Sequence, residues 1–87
     1  MDSNNKDLVN KNLCQEQYKE IGIQVTVFQS DDGFRADVYI KFDEGYEVKY
    51  KKIYSGLSDA NNKALATRNE ACKSGFKKGK RYIDKYY

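Results

Sequence analysis

IQVTVFQSDDGFRADVYIKF, residues 23–42, decides the fold of this 87-residue chain. Apolar and polar residues alternate from Ile23 to Val27 and again from Phe34 to Phe42. Such alternation is typical of a strand that buries one face. The Asp-Gly pair between the two runs supplies the backbone conformations of a tight turn. The stretch therefore predicts an antiparallel hairpin.

A third strand is predicted after DEG, residues 43–45, which marks a second turn. We place Tyr46, Val48 and Tyr50 on its core-facing side. The residues that alternate with them, and that we place on the opposite side, are Glu47, Lys49 and Lys51. Three consecutive strands with short connections predict an antiparallel meander.

The last thirty residues predict a single helix from Ser58 to Tyr86, with Ser58 as the N-cap. At 100° per residue, the small and apolar side chains fall on one face. They are Ala64, Leu65, Ala71, Cys72, Gly75, Phe76, Gly79, Tyr82, Ile83 and Tyr86. Glycines on that face indicate a close approach of the helix to the sheet. The alternative is a helix broken near Gly75 or Gly79, because glycine destabilises helix interiors.

The predicted fold class is α+β: a three-stranded antiparallel β-meander, packed on one face by a long C-terminal α-helix. Residues 18–87 form the single βββα domain. Residues 1–17 are polar, with a short apolar stripe at Leu8, Val9 and Leu13, and form either an arm or a short N-terminal helix. A chain this short has room for one small core.

The composition argues against catalysis. The chain has no His, which is the commonest general base and the commonest neutral metal ligand. The carboxylate pairs at residues 31–32 and 43–44 lie in predicted turns, where Asp commonly hydrogen-bonds the local backbone. We therefore expect no enzyme, no catalytic residue, no metal and no cofactor.

Cys14 and Cys72 are the only cysteines. Small secreted domains usually carry more disulfides, so we interpret both as small apolar side chains in a reduced compartment. One bridge between them stays open as the alternative. No apolar run reaches the length of a membrane span, and no signal peptide is recognised at the N-terminus. We expect a cytoplasmic protein without membrane contact.

Charge is unevenly distributed along the chain. Residues 1–45 hold five Lys or Arg against nine Asp or Glu, whereas residues 46–87 hold eleven against four. A basic half suits an anionic partner, although charged runs also serve only to solvate a helix face.

Two groups of residues are candidate nucleic-acid contacts. The first group lies on the sheet face that we expect the helix to leave open: Arg35, Tyr39, Lys41, Lys49 and Lys51. Cations interleaved with a ring suit phosphates and bases. The second group lies near the helix end: Lys77, Lys78, Lys80 and Arg81. Cations there are also stabilised by the helix dipole, so a solvated helix end is the alternative.

The order of elements over residues 18–87 resembles AP2-type DNA-binding domains and the arm-binding domains of phage integrases, which implies DNA binding. An N-terminal helix would make the chain similar to the double-stranded-RNA-binding fold. The Lys-Lys-x-Ala-Lys motif of that fold and the Trp-rich strands of AP2 domains are absent. The helix end, with Ala71, Gly79 and Tyr82-Ile83-Asp84, resembles short bacterial and phage proteins of unassigned function. This last resemblance implies no activity.

These observations predict a small, non-enzymatic binding module. Nucleic acid or another anionic macromolecule is the preferred partner, bound electrostatically and without sequence preference. The alternative is a protein–protein adaptor or inhibitor, related to a phage or mobile element and acting as a homodimer. It would bind through a sheet edge or the Tyr-rich helix end.

Overall fold

The computed structural model describes residues 12–58 and 61–87. Within these ranges it contains four strands and one helix. They are β1 (Leu13–Tyr18), β2 (Ile21–Ser30), β3 (Gly33–Glu44), β4 (Glu47–Tyr54) and α1 (Arg68–Tyr86). The strands form one antiparallel sheet in the order β1-β2-β3-β4, and α1 packs mainly on β2 and β3. The α+β class and the meander with a C-terminal helix are confirmed, but the sheet has four strands rather than three.

The additional strand, β1, occupies residues that we expected to form an arm or a short helix. It pairs with β2 along its whole length. The connecting turn places Lys19 and Glu20 at φ 51° and 67°, a region that residues other than glycine seldom adopt. The helix alternative is therefore wrong for residues 13–17. Leu8 and Val9 lie outside the described residues.

The core forms between α1 and the facing side of β2 and β3, as the alternation predicts. Three alternate residues in the middle of each of these strands are buried, and the helix and the preceding loop complete the cluster. Its members, each 8% exposed or less, are Ile23, Val25, Val27, Ala36, Val38, Ile40, Leu57, Leu65, Ala71 and Ile83.

The predicted orientation of β4 is wrong. Its register pairs Lys51 with Ile40, so Lys51 and, two residues before it, Lys49 lie on the helix side of the sheet. Val48 lies on the open side and is 50% exposed instead of buried. β4 is an edge strand that α1 barely covers. Because both of its faces meet solvent, its apolar pattern does not indicate the core.

The helix begins later than predicted. Phe34 and Leu65 exchange backbone hydrogen bonds of 2.8 and 2.7 Å, so the segment after Ser58 adds a bridge to β3 instead of a helical turn. Thr67, rather than Ser58, is the N-cap, and its hydroxyl accepts the Glu70 N–H at 3.1 Å. Beyond this point α1 is unbroken to Tyr86.

The close approach of the helix to the sheet, predicted from the glycines on the packed helix face, is confirmed. Gly75 and Gly79 are both buried in α1. A Cβ at Gly75 would lie 2.5 Å from Val25 Cγ2, and one at Gly79 would lie 2.7 Å from Ile23 Cγ2. Real Cβ atoms do not approach other carbons so closely, so only glycine permits this spacing at both positions.

Cys14 and Cys72 form a disulfide bond, with their Cα atoms 6.0 Å apart. The bond joins β1 to the first half of α1. The interpretation of these residues as two separate apolar side chains is therefore wrong, and the bridge left open by the sequence is present. Separately, no helix in the described part of the chain has the length and apolar character needed to cross a membrane.

Candidate nucleic-acid interface

A cleft opens where α1 leaves the helix side of β4 uncovered. It has a volume of about 530 Å³. Its lining residues are Tyr54, Leu57, Ser58, Leu65, Ser74, Lys77, Lys78 and Arg81. Lys51 of β4 and Tyr82 of α1 contact each other; they are not lining residues, but Tyr82 follows Arg81 directly and Lys51 stands three residues before Tyr54. These ten residues are called the α1–β4 cleft below.

Two lysines of the α1–β4 cleft lie over aromatic rings of the opposite element. The Lys51 ammonium is 5.6 Å from the centroid of the Tyr82 ring. The Lys78 ammonium is 5.3 Å from the centroid of the Tyr54 ring. Hydrogen bonding to the Tyr82 hydroxyl raises the pKa of Lys51 above its ordinary value, so Lys51 is cationic at neutral pH. Both contacts hold a lysine ammonium of one element against a ring of the other.

The cations of the α1–β4 cleft have no anionic partner among residues 12–58 and 61–87. The ion pairs of this part of the chain do not include Lys51, Lys77, Lys78 or Arg81. Lys49, on the same side of β4, is instead paired with Glu47 at 2.8 Å. Three of these cations line one concave site, and with Lys51 they make the potential on this side of the protein positive.

The open face of the sheet has a different electrostatic character. Arg35 lies 3.5 Å from a carboxylate oxygen of Asp32. The Lys52 ammonium lies 3.6 Å from a carboxylate oxygen of Asp37 and 5.5 Å from the Tyr39 ring centroid. Arg35 and Lys52 are therefore paired with carboxylates on this face, whereas Lys41 is in none of the ion pairs found in the described part of the chain.

The structure does not keep the two predicted groups of nucleic-acid contacts on separate surfaces. Lys51 of the first group joins Lys77, Lys78 and Arg81 of the second in the α1–β4 cleft. Lys49 lies on the same side of the sheet, but it pairs with Glu47. The residues that remain on the open face are Arg35, Tyr39 and Lys41. Lys80 points the other way, toward β1, where it pairs with Glu16 at 2.5 Å.

Tyr54 and Tyr82 are the site residues that the sequence reasoning missed. The sequence indicates no role for Tyr54, and it predicts Tyr82 on the packed face and in the Tyr-rich end of the helix rather than among the nucleic-acid contacts. A signal was available in Ile53, which packs against the core and stands two residues after Lys51. Alternation counted back from Ile53 places Lys51 and Lys49 on the helix side.

Asp32 in the β2–β3 turn accepts hydrogen bonds, one of them from a residue distant in the chain rather than from the local backbone that the sequence predicts. Asp32 accepts the Ala64 N–H at 3.3 Å and the Ser30 hydroxyl at 3.0 Å. These two hydrogen bonds lower the pKa of Asp32. Among the described residues, no three Asp, Glu or Cys side chains come together as a group that could hold a metal ion.

No family model, no curated protein and no solved structure matches this chain. The resemblance to DNA-binding modules depends on a three-stranded order of elements, and the fourth strand departs from it. That resemblance stays a prediction. The functional argument therefore depends on the geometry and charge of the α1–β4 cleft.

Proposed function

We propose that the protein is a non-enzymatic binding module that holds nucleic acid, or a similar polyanion, in the α1–β4 cleft. The observation that supports this most directly is the cluster formed by Lys51, Lys77, Lys78 and Arg81, which have no carboxylate partner in the described part of the chain. Phosphate contacts supply most of the affinity in sequence-independent nucleic-acid binding.

The kind of cation present favours binding without sequence preference. Three of the four cleft cations are lysines, and a lysine ammonium acts as a point charge toward phosphate. Reading base edges in a groove relies more on the fork of an arginine, and Arg81 is the one arginine of this cluster. We expect affinity to depend on the charge and the strandedness of the ligand, and little on its sequence.

A charge-reversal pair tests this proposal. Lys51 and Lys41 are matched, since each is an exposed strand residue whose ammonium lies near a tyrosine ring, at 5.6 and 6.0 Å from the centroid. They lie on opposite faces of the sheet. Lys51→Glu should weaken binding to labelled oligonucleotides of every sequence, whereas Lys41→Glu should have little effect. Fluorescence anisotropy at low salt measures both.

Two results would overturn the proposal. The first is a parent protein that fails to bind any oligonucleotide at low salt. The second is an equal loss of affinity in Lys51→Glu and Lys41→Glu, which would indicate attraction to net charge and not to the α1–β4 cleft. Circular dichroism of both variants verifies that they fold.

A protein-binding function is the second candidate, and the exposed side chains of β4 favour it. Val48 and Tyr50 are 50% and 56% exposed on the open face, beside a strand edge that has no partner among the described residues. Such an edge can pair with another strand, including that of a second copy. Sedimentation equilibrium should then show a dimer that Val48→Glu dissociates. A monomer at all concentrations would exclude the homodimer.

The cytoplasmic location inferred from the sequence stays a prediction. The disulfide bond between Cys14 and Cys72 counts against a reduced compartment, because such bonds persist mainly in oxidising environments. Thiol labelling of the protein taken directly from its native source, before and after reduction, decides between a reducing and an oxidising compartment.

A further inference from the structure

The α1–β4 cleft combines cations with aromatic rings. Tyr54 is 40% exposed, and the Lys78 ammonium lies over its ring. Tyr82 lies below Lys51 and forms a ring pair with Tyr86, at 4.6 Å between centroids. The same site therefore offers positive charge and flat apolar surfaces.

Only some polyanions can contact cations and aromatic rings at the same time. A single strand of nucleic acid presents phosphates along its backbone and unstacked bases that can lie on aromatic rings. A duplex keeps its bases stacked inside, so it would meet the cations and leave the rings unused. An acidic peptide likewise lacks a repeating planar group for the tyrosines.

The exposed ring of Tyr54 is the apolar surface that the α1–β4 cleft offers to a ligand. Leu57 and Leu65 also line the cleft, but they are only 0% and 8% exposed, whereas Lys77 and Arg81 are exposed and supply its cations. A phosphate is stabilised by the cations, and an apolar surface is stabilised by covering it. This separation matches the two parts of a nucleotide.

The lysines over the rings can move when a base arrives. A base stacked on Tyr54 displaces the Lys78 ammonium from the ring, and this ammonium can then pair with the adjoining phosphate. The contact between Lys51 and Tyr82 can exchange in the same way. Because the lysine side chain is long and flexible, the exchange needs no movement of the backbone.

From these observations we infer that the α1–β4 cleft binds single-stranded rather than duplex nucleic acid, with bases stacked on Tyr54 and Tyr82. This inference rests on the proposed function. Lys51 and Tyr54 are three residues apart on β4, which is about 10 Å of strand. We therefore expect the site to contact only a short stretch of the strand.

The test compares one sequence as a single strand and as a duplex, each about 16 nucleotides long, at low salt. The parent protein should bind the single strand more tightly. Tyr54→Leu and Tyr82→Leu should each weaken single-strand binding by about 5- to 150-fold, the usual range for one stacked base, and should leave duplex binding nearly unchanged. Tyr54→Phe should retain affinity because it keeps the ring.

Tyr39→Leu is the matched control, since Tyr39 is a ring near a lysine on the open face. Equal or tighter binding of the duplex would overturn this inference and leave the proposed function standing. Failure of both ligands to bind at low salt would overturn both. Single-strand preference that survives both leucine substitutions in folded protein would also overturn the inference, because the rings would then play no part.

Discussion

At Gly75 the backbone of α1 lies so close to β2 that one added methyl group has no room. The nearest atoms to a Cβ at this position belong to Val25, at 2.5, 2.6 and 3.1 Å. Val25 is fully buried and β-branched, so it cannot rotate away cheaply. The absence of a side chain at Gly75 therefore sets the distance between the helix and the sheet.

We predict that Gly75→Ala destabilises the protein, although alanine favours helix. Overpacking of a filled core typically costs about 1–3 kcal/mol, which exceeds the gain in helix propensity of about 1 kcal/mol. Urea unfolding measures the change. Lys73→Ala, at an exposed position of the same helix, should change stability by less than about 0.5 kcal/mol.

A double-mutant cycle identifies the cause. If the clash with Val25 is responsible, Gly75→Ala combined with Val25→Ala should destabilise less than the sum of the two single changes. Strict additivity, or a Gly75→Ala variant more stable than the parent, would contradict the close approach.

Asp84 connects the end of α1 to the β1–β2 turn. Its carboxylate accepts hydrogen bonds from Lys19 Nζ at 2.6 Å and from the Tyr18 hydroxyl at 2.8 Å. Lys19 first and Tyr18 second lower the pKa of Asp84. Since its pKa is lower in the folded state, the stabilisation from Asp84 is present above the unfolded value of about 3.9.

We predict that this stabilisation disappears in acid. The difference in melting temperature between the parent and Asp84→Asn should be constant near neutral pH and should shrink as the pH falls below about 4. Thermal melts followed by circular dichroism measure it. Asp43→Asn, at an exposed carboxylate for which no ion pair is found in the described part of the chain, is the control. A difference that persists unchanged at low pH would refute the linkage.

Among the elements, β1 depends most on a single covalent connection. It is an edge strand that touches α1 at few places: the bond between Cys14 and Cys72, the pair of Glu16 with Lys80, and the hydrogen bond from Tyr18 to Asp84. The two cysteines are 58 residues apart. Closing so long a loop restricts the unfolded chain, which is worth about 4 kcal/mol when treated as chain entropy.

We predict that reduction of this bond lowers the free energy of unfolding by about 2–4 kcal/mol. Urea unfolding with and without dithiothreitol measures the loss. A variant with Cys14→Ala and Cys72→Ala should resemble the reduced parent and should not respond to the reductant. A parent protein whose stability is the same in both conditions would contradict the prediction.

The elements that the sequence predicted correctly are those that bury one regular face. β2 and β3 alternate cleanly because one side of each meets α1, and the helix face of Ala71, Gly75, Gly79 and Ile83 is buried as expected. The turn at residues 30–33 was also predicted, since its residues act through local hydrogen bonds.

The errors arose at the two edges and at the start of the helix. β1 is mostly polar, and its core-facing side is completed by a disulfide and an ion pair, which no hydrophobic period reveals. β4 is solvated on both faces and has an irregular register beside Val38. Ala64 and Leu65 fit a helical period although Leu65 pairs with Phe34, because the loop packs its apolar residues on the same core.

The errors at β4 also affected the candidate site. Because the predicted orientation of β4 is wrong, Lys49 and Lys51 are predicted on the open face instead of the helix side. The α1–β4 cleft is therefore not predicted. Its cations were predicted individually from their charge. Their convergence depends on how far α1 extends over the sheet, a property of packing that a single sequence does not encode locally.

For the molecule as a whole, charge is concentrated on the side where α1 and β4 meet. The net charge of +3 understates this, because the open face pairs most of its cations with Asp32 and Asp37. A polyanion therefore meets one strongly positive side. The salt dependence of polyanion binding should therefore reflect the few cations of the α1–β4 cleft and not all basic residues.

We predict the salt dependence from those four cations. On a single strand, the slope of log K against log salt should be about −0.7 for each contact, or about −2.8 in all; on a duplex that reaches all four, about −3.6. Lys51→Gln should make the slope shallower by about one contact. Titrations at several salt concentrations give both values. A slope independent of Lys51 would place the contacts elsewhere.

The disulfide bond also determines how the chain responds to force. When the chain is pulled from its ends, tension passes from Cys14 through the bond to Cys72 and bypasses β2, β3 and β4. Only the residues before Cys14 and after Cys72 can then lengthen. Breaking the bond would release the chain between the two cysteines, which are 58 positions apart, or about 200 Å when extended. The sheet is thus mechanically shielded for as long as its edge strand stays bonded to the helix.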